Sequence, residues 1–307
     1  MRVLIASHYL GGLTGSETFW FTVADHLIRL GADVHCYARR WNRRIPSLLE
    51  LGVTAWVKYE DLPECRPDVA LVSHGPVAER IRKALPDVPM FFFCHGVIPD
   101  LEVPPKDSGN IRAYYAVSLE VAAFLQDHFV PAEKIHGPFQ PVDSERFKFH
   151  AGSGGKTRQV LVVSNRMPPH MVEVVKAGCL RQGADVSFVG EKFIVKGQDE
   201  LAAMMRAADV VISLGRGVIE GMMSGAVPIV YDYLGADGVV TPDRLEELAV
   251  YNFSGRMTRG TYNVDGMSIA LCTALQTPWK KLRWMAEERY GAENLVGQLL
   301  ERIREEV

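Results

Sequence analysis

Gly215-Arg-Gly217 is followed three positions on by Glu220, and this cluster has the residue types and spacing to hold an anionic ligand. A short apolar run, Val210 to Ser213, gives way here to a helical pattern over Val218 to Ser224. The amides of Gly215, Arg216, Gly217 and Val218 and the positive end of the helix dipole therefore converge where a diphosphate can sit, with the Arg216 side chain beside it. Glu220 in the first helical turn can accept two ribose hydroxyls. A glutamate placed only to favour the dipole, worth ~0.3–1 kcal/mol, is the alternative. Arg166 follows a second apolar run, Val160 to Ser164, and its planar charged fork suits phosphate oxygens and the charge that builds on a departing diphosphate. An exposed ion-pair partner is the alternative for it. His74 in Ser-His-Gly75 and His95 in Cys-His-Gly96 each end a strand pattern, a place better suited to a ligand than to core packing, although a single histidine is more often structural.

Weaker signals lie elsewhere. The turn Gly11-Gly-Leu-Thr-Gly15 lets backbone approach a ligand closely, Gly15 in particular. Arg39, Arg40, Trp41, Arg43 and Arg44 form the densest basic cluster, suited to an anionic membrane surface or a charged acceptor, or simply to a solvated loop. Gly154-Gly-Lys-Thr157 resembles the end of a phosphate-binding loop, but a strand rather than a helix follows it and the required first glycine is His150. The first strand-to-helix turn lacks GxGxxG and the second strand ends in arginines without an acid, which disfavours a nicotinamide enzyme. No Asp-x-Asp occurs in the chain, so metal-clamping carboxylates of that pattern are missing and metal-free phosphate binding is expected, with no cofactor.

Strand patterns at Val3–Ser7, Val34–Ala38, Val53–Val57, Val69–Val72, Met90–Cys94 and Tyr114–Val117 precede a stretch from Val130 to Thr157 without periodicity, read as a linker. Helices are expected over Ser16–Leu30 and Leu119–Phe129. A second alternating series follows, with strands at Val160–Ser164, Val186–Val189, Val210–Ser213 and Ile229–Tyr231. Its helices fall at Met171–Arg181, Asp199–Ala207, Val218–Ser224, Val264–Leu275 and Trp279–Arg304. The pattern predicts two Rossmann-like α/β domains facing across a cleft, residues 1–150 on the acceptor side and 151–285 on the donor side, with a helix over 286–307 that can cross back to the first domain. With 34 Lys+Arg against 37 Asp+Glu and a net charge of -3, the 307 residues carry no nucleic-acid footprint. Apolar residues at 48% and charged residues at 23% mark a globular chain, and the longest apolar runs are far short of a bilayer span. Five scattered cysteines suggest neither disulfides nor a zinc cage, and a cytoplasmic setting is expected, with any membrane contact peripheral to the inner face.

The segment Ala208 to Pro242 resembles the C-terminal half of GT-B glycosyltransferases of the retaining group 1 type, glycosyltransferase family 4, in that Glu220-Gly-Met-Met-Ser-Gly225-Ala-Val-Pro228-Ile is similar to that family's EAMAxGxPVI. Thr14-Gly-Ser-Glu17 resembles its GGxE turn, Pro141-Val-Asp-Ser-Glu-Arg-Phe147 its VDxxxF linker, and Val162-Val-Ser-Asn-Arg166 its VGR strand end. The resemblance implies a GT-B architecture and transfer of a sugar from a nucleoside-diphosphate sugar, retaining and metal-independent, to a glycan, lipid-linked or small-molecule acceptor. It implies that His95 contacts the transferred sugar, Arg166 the donor phosphates and Glu220 the ribose, with Gly96 and His74 on the acceptor side. Two family contacts are missing: an acid eight positions before Glu220 is Ile212, and a lysine beyond Arg166 is Met171. Arg216 can replace the lysine's charge, His170 beside the Met171 position is a further candidate, and Asp237 in Asp232-Tyr-Leu-Gly-Ala-Asp237 can supply the acid. These losses keep two alternatives open, a non-catalytic nucleotide-sugar binding protein and a nucleotide-sugar epimerase on the same scaffold.

Overall fold

A computed structural model of the chain describes residues 1–41, 51–53, 55–149, 157–190 and 197–307. It divides into two compact units, Met1–Pro141 with Ala292–Val307, and Val142–Gly291.

The first unit alternates strands and helices: β1 Arg2–Leu10, α1 Gly15–Arg29, β2 Asp33–Trp41, β3 Ala55–Trp56, α2 Leu62–Cys65, β4 Val69–Ser73, α3 Gly75–Ala84, β5 Met90–Cys94, β6 Ile111–Ala116, α4 Leu119–Asp127 and β7 Ile135–His136. Its sheet runs β3-β2-β1-β4-β5-β6-β7, with every pairing parallel. Both faces are covered, and β4 and β5 are buried throughout and apolar but for Ser73 at the end of β4. Phe91 and Phe93 of β5 pack with Phe19 and Trp20 of α1, whereas Met90 and Phe92 enter the core on the opposite face with Val77 and Ile81 of α3. The chain order reverses between β1 and β4, and the carboxyl ends of strands at such a switch point are where α/β sheets hold ligands.

The second unit contains β8 Arg158–Val163, α5 Pro169–Arg181, β9 Ala184–Val189, α6 Gln198–Ala207, β10 Val210–Ser213, α7 Arg216–Met223, β11 Val227–Asp232, β12 Gly235–Val239, α8 Leu245–Val250, α9 Val264–Gln276 and α10 Trp279–Tyr290. Its sheet order is β12-β11-β10-β8-β9, parallel except for the β11–β12 pair. The switch point lies between β8 and β10. The final helix, α11 Ala292–Glu306, belongs to the first unit, where Val296, Leu299, Leu300 and Ile303 join the Phe19–Phe93 core.

Three features depart from the sequence reading. The boundary falls at Pro141, not 150, because Val142 N–H donates to the Tyr290 carbonyl and residue 142 bridges Gly291, tying the following turn to the second unit. The single helix expected over Trp279–Arg304 breaks at Gly291, whose ψ of 121° is extended, and the second unit ends there rather than at 285. The strand β12 and helices α3 and α8 lie outside the expected elements.

Candidate functional site

The first unit gathers imidazoles at its switch point. β1 ends in the Gly11–Gly15 turn, which is folded by Glu17: this buried carboxylate accepts Gly12 N–H at 2.8 Å, Thr14 N–H at 3.3 Å and the Thr14 hydroxyl at 2.7 Å. A Cβ on Gly15 would meet nothing within 4 Å, so this stretch of backbone is open on that side, as it is at Gly96. Next door, β4 ends at His74, which caps α3 with φ of 72° and ψ of 123°, a conformation that costs a residue with a Cβ roughly 1–3 kcal/mol. Its Nδ1 accepts His8 N–H at 3.2 Å and lies 3.4 Å from the Ser7 hydroxyl. The neutral ring therefore carries its proton on Nε2, which faces Glu102 Oε1 at 3.8 Å.

Glu102 was not among the sequence candidates, and it joins the two histidines. Its Oε2 accepts His95 N–H at 2.8 Å, and it is 5% exposed. Burial pushes its carboxyl up to about 7, against the hydrogen bonds it accepts. Burial, with His8 adding to it, pushes His74 down to about 4. His95 Nε2 lies 2.9 Å from the Ser73 hydroxyl, which accepts the indole N–H of Trp20 at 2.8 Å, and the Phe19 ring meets the imidazole edge-on at 4.6 Å between centroids. His8 completes the group. Its Nδ1 is buried without a hydrogen-bond partner among the described residues, and burial together with the charges of Arg39 and Arg40 holds its pKa below the ordinary histidine value. Arg39 and Arg40 are exposed at the carboxyl end of β2, followed by half-buried Trp41; Arg43 and Arg44 lie outside the described residues.

In the second unit, Arg166 follows β8 and is exposed. Its turn is built on Ser164, whose oxygen accepts Arg166 N–H at 3.1 Å and Met167 N–H at 2.9 Å and whose hydroxyl donates to buried Asp232. The guanidinium is held by Tyr233, with Nη1 donating to the phenol oxygen at 3.3 Å and Cζ 5.6 Å from the ring centre. β10 leads into Leu214 and Gly215, whose φ of 56° with ψ of -127° favours glycine. At Gly217 a Cβ would collide with the Ser213 hydroxyl, itself bonded to the Val163 carbonyl at 2.8 Å.

Four expectations change here. Arg216 is 4% exposed and does not stand at the surface of the turn: its Nε donates to Glu220 Oε1 at 2.7 Å, one helical turn on, in a buried ion pair. Burial raises the Glu220 carboxyl against the pull of the Arg216 charge. The Gly215 and Val218 amides are not free for a ligand, since Gly215 N–H donates to the Phe253 carbonyl at 2.9 Å and Val218 N–H to the Gly215 carbonyl at 3.1 Å, and the Val218 side chain is wholly buried. Asp237 is buried and has a structural partner, its carboxylate accepting Thr258 N–H at 2.8 Å and the Thr258 hydroxyl at 3.1 Å, which fastens the loop after Ser254. Ile212 and Met171 are core side chains, while His170 is exposed in the first turn of α5. The structure thus brings Arg166 and the Gly215–Gly217 turn to the ends of neighbouring strands β8 and β10, and His8, His74 and His95 to those of β1, β4 and β5.

The same fold recurs in solved structures. Anabaena Alr3699/HepE in complex with UDP is 13% identical, with a TM-score of 0.69 over 99% of this chain and 100% of that one. A glycosyltransferase from Rickettsia africae is 12% identical at a TM-score of 0.69, over 99% and 98% of the two chains. UDP-GlcNAc 2-epimerase from Neisseria meningitidis bound to UDP-GlcNAc is 13% identical at a TM-score of 0.58, over 99% and 100%. No family model and no curated protein sequence matches the chain. At these identities the likeness defines the fold, that of GT-B glycosyltransferases.

Proposed function

We propose that the chain is a glycosyltransferase that takes a nucleoside-diphosphate sugar on its second unit and transfers the sugar to an acceptor, with retention and without a metal. The observation that carries this reading is that Arg166 and the Gly215–Gly217 turn lie at the switch point of the second sheet, in a fold whose HepE counterpart was solved with UDP. Arg166 supplies the exposed cation for the leaving diphosphate, and the positive end of the α7 dipole at the turn adds to it. The Arg216–Glu220 pair holds the turn rigid from behind. In the first unit, the histidine centre handles the transferred sugar and the acceptor hydroxyl. Arg39 and Arg40 are near enough to His8 to act on its charge, which favours an acceptor bearing an anionic group over a membrane surface as their partner.

Incubation with UDP-, GDP- and ADP-sugars, with and without phosphorylated and carboxylated glycan or lipid-linked acceptors, tests the reading. Acceptor-dependent release of a nucleoside diphosphate is expected. Isomerised donor formed without acceptor would mean an epimerase, and saturable binding with no turnover would mean a binding protein. No helix among the described residues is long and apolar enough to cross a membrane.

A further inference from the structure

The first unit contains a polar cavity walled by the edge strands β6 and β7 and the last helix, separated from His95 by the packed rings of Phe139 and Phe19. It measures about 280 Å³ and is lined by Tyr115 of β6, His136 of β7, Pro138 and Phe139, and by Leu299 and Arg302 of α11. For comparison, ~150 Å³ is enough to hold benzene. Its walls are of two kinds. Phe139 and Tyr115 meet edge to face at 5.0 Å between centroids, and with Leu299 they form an apolar side. Beside them stand two buried nitrogens without hydrogen-bond partners among the described residues, His136 Nε2 and Arg302 Nε, with the His136 ring 5.6 Å from that of Tyr115.

These two atoms come from elements far apart in the chain. Arg302 Nε–H can only donate. Burial and the Arg302 charge hold His136 below the ordinary histidine value, against the opposing pull of Glu306, so the ring is neutral near pH 7 and its Nε2 can donate as the N–H tautomer. A buried donor left unpaired costs about 1–3 kcal/mol, so a cavity with two of them is incomplete as it stands. Gln298 Nε2 does not complete it, since it donates to Asn294 Oδ1 at 2.9 Å.

We propose that this cavity binds a small organic oxyanion, a carboxylate or phosphate carried on a short apolar or aromatic body, with the oxyanion on Arg302 and His136 and the body against Phe139 and Leu299. An ordered water would satisfy the two nitrogens but leave the apolar wall unused. The site belongs to the first unit alone and does not depend on the transferase reading.

Calorimetric titration of the full chain with benzoate, phenyl phosphate and inorganic phosphate tests the assignment. Benzoate or phenyl phosphate is expected to bind once per chain and more tightly than inorganic phosphate, and whichever of the two binds more tightly identifies the headgroup. Arg302→Met should weaken binding at least about tenfold, the effect of losing a charged hydrogen bond, with Arg302→Lys in between. Arg302 is partly exposed and its buried Nε is unpaired, so neither variant should lower the melting temperature, and His136→Phe supplies an independent loss of the second donor. Saturating UDP should leave the benzoate affinity unchanged. Absence of saturable binding by either aromatic probe, equal affinity in Arg302→Met, or displacement by UDP would overturn the proposal.

Discussion

The two switch points carry polar groups of opposite design. In the second unit the buried charges satisfy each other: Arg216 and Glu220 pair inside the helix, and the group that can reach a ligand, Arg166, stands in solvent against Tyr233. In the first unit the polar atoms are buried but not balanced, with His74 held at a positive φ, Glu102 placed between two histidines, and His8 Nδ1 without a partner among the described residues. The contrast separates two ways of preparing a site. One builds a paired, buried frame behind an exposed cation, and the other stores strain and unsatisfied groups where a ligand would relieve them.

The largest expected effect tests the frame. Glu220→Ala removes the carboxylate that Arg216 bonds inside the helix and should cost about 3–5 kcal/mol in urea unfolding, whereas the double replacement Arg216→Met with Glu220→Leu should recover most of it. Additive losses in the double variant would show that the pair is not a unit. Arg166→Ala should do the reverse, lowering turnover by ~10²–10³ while leaving stability within about 0.5 kcal/mol. A large loss of stability would move Arg166 from ligand handling into the frame.

The histidine centre is tested by pH. Glu102 has its folded pKa raised, so its contribution to stability falls as pH rises from about 4.5 to about 7; His74 has its folded pKa lowered to about 4, so its contribution rises from pH 4 to its unfolded value of 6.5. The two slopes oppose each other in the wild type. Glu102→Gln removes the first, so the variant should gain on the order of 3 kcal/mol relative to wild type between pH 4.5 and 7, read from urea midpoints. A pH-independent difference would separate Glu102 from the centre's protonation.

The smallest effects compare two glycines. Gly217→Ala drives a Cβ into the Ser213 hydroxyl and should cost about 1–3 kcal/mol, while Gly15→Ala enters open space and should change stability by less than about 1 kcal/mol. Equal costs would mean that the two turns are not differently packed.

Much of this was legible in the sequence. Fully apolar runs such as Met90–Cys94 and Val210–Ser213 become strands with the expected ends, and the strand-end positions of His74, His95, Arg166 and Gly215 follow from them. The i,i+4 spacing of Arg216 and Glu220 is a visible pairing signal. Treating the two as separate ligand groups overlooked it. Glu102 left no such signal, since it reaches His95 from a non-periodic loop seven residues on. β12 was hidden by composition: Gly235-Ala-Asp-Gly238 reads as a polar turn, and pairing with β11 overrides its weak strand preference. The orphan nitrogens of His136 and Arg302 meet only once α11 joins the first unit, a long-range event that local pattern does not encode.

Nucleotide binding tests the central claim most directly, with UDP, GDP and ADP titrated calorimetrically into wild type, Arg166→Ala and His95→Ala. Donor capture by the second unit predicts saturable binding of one diphosphate, weakened about tenfold or more in Arg166→Ala and unchanged in His95→Ala. Loss of binding in His95→Ala with full affinity in Arg166→Ala, or no binding of any diphosphate, would contradict it.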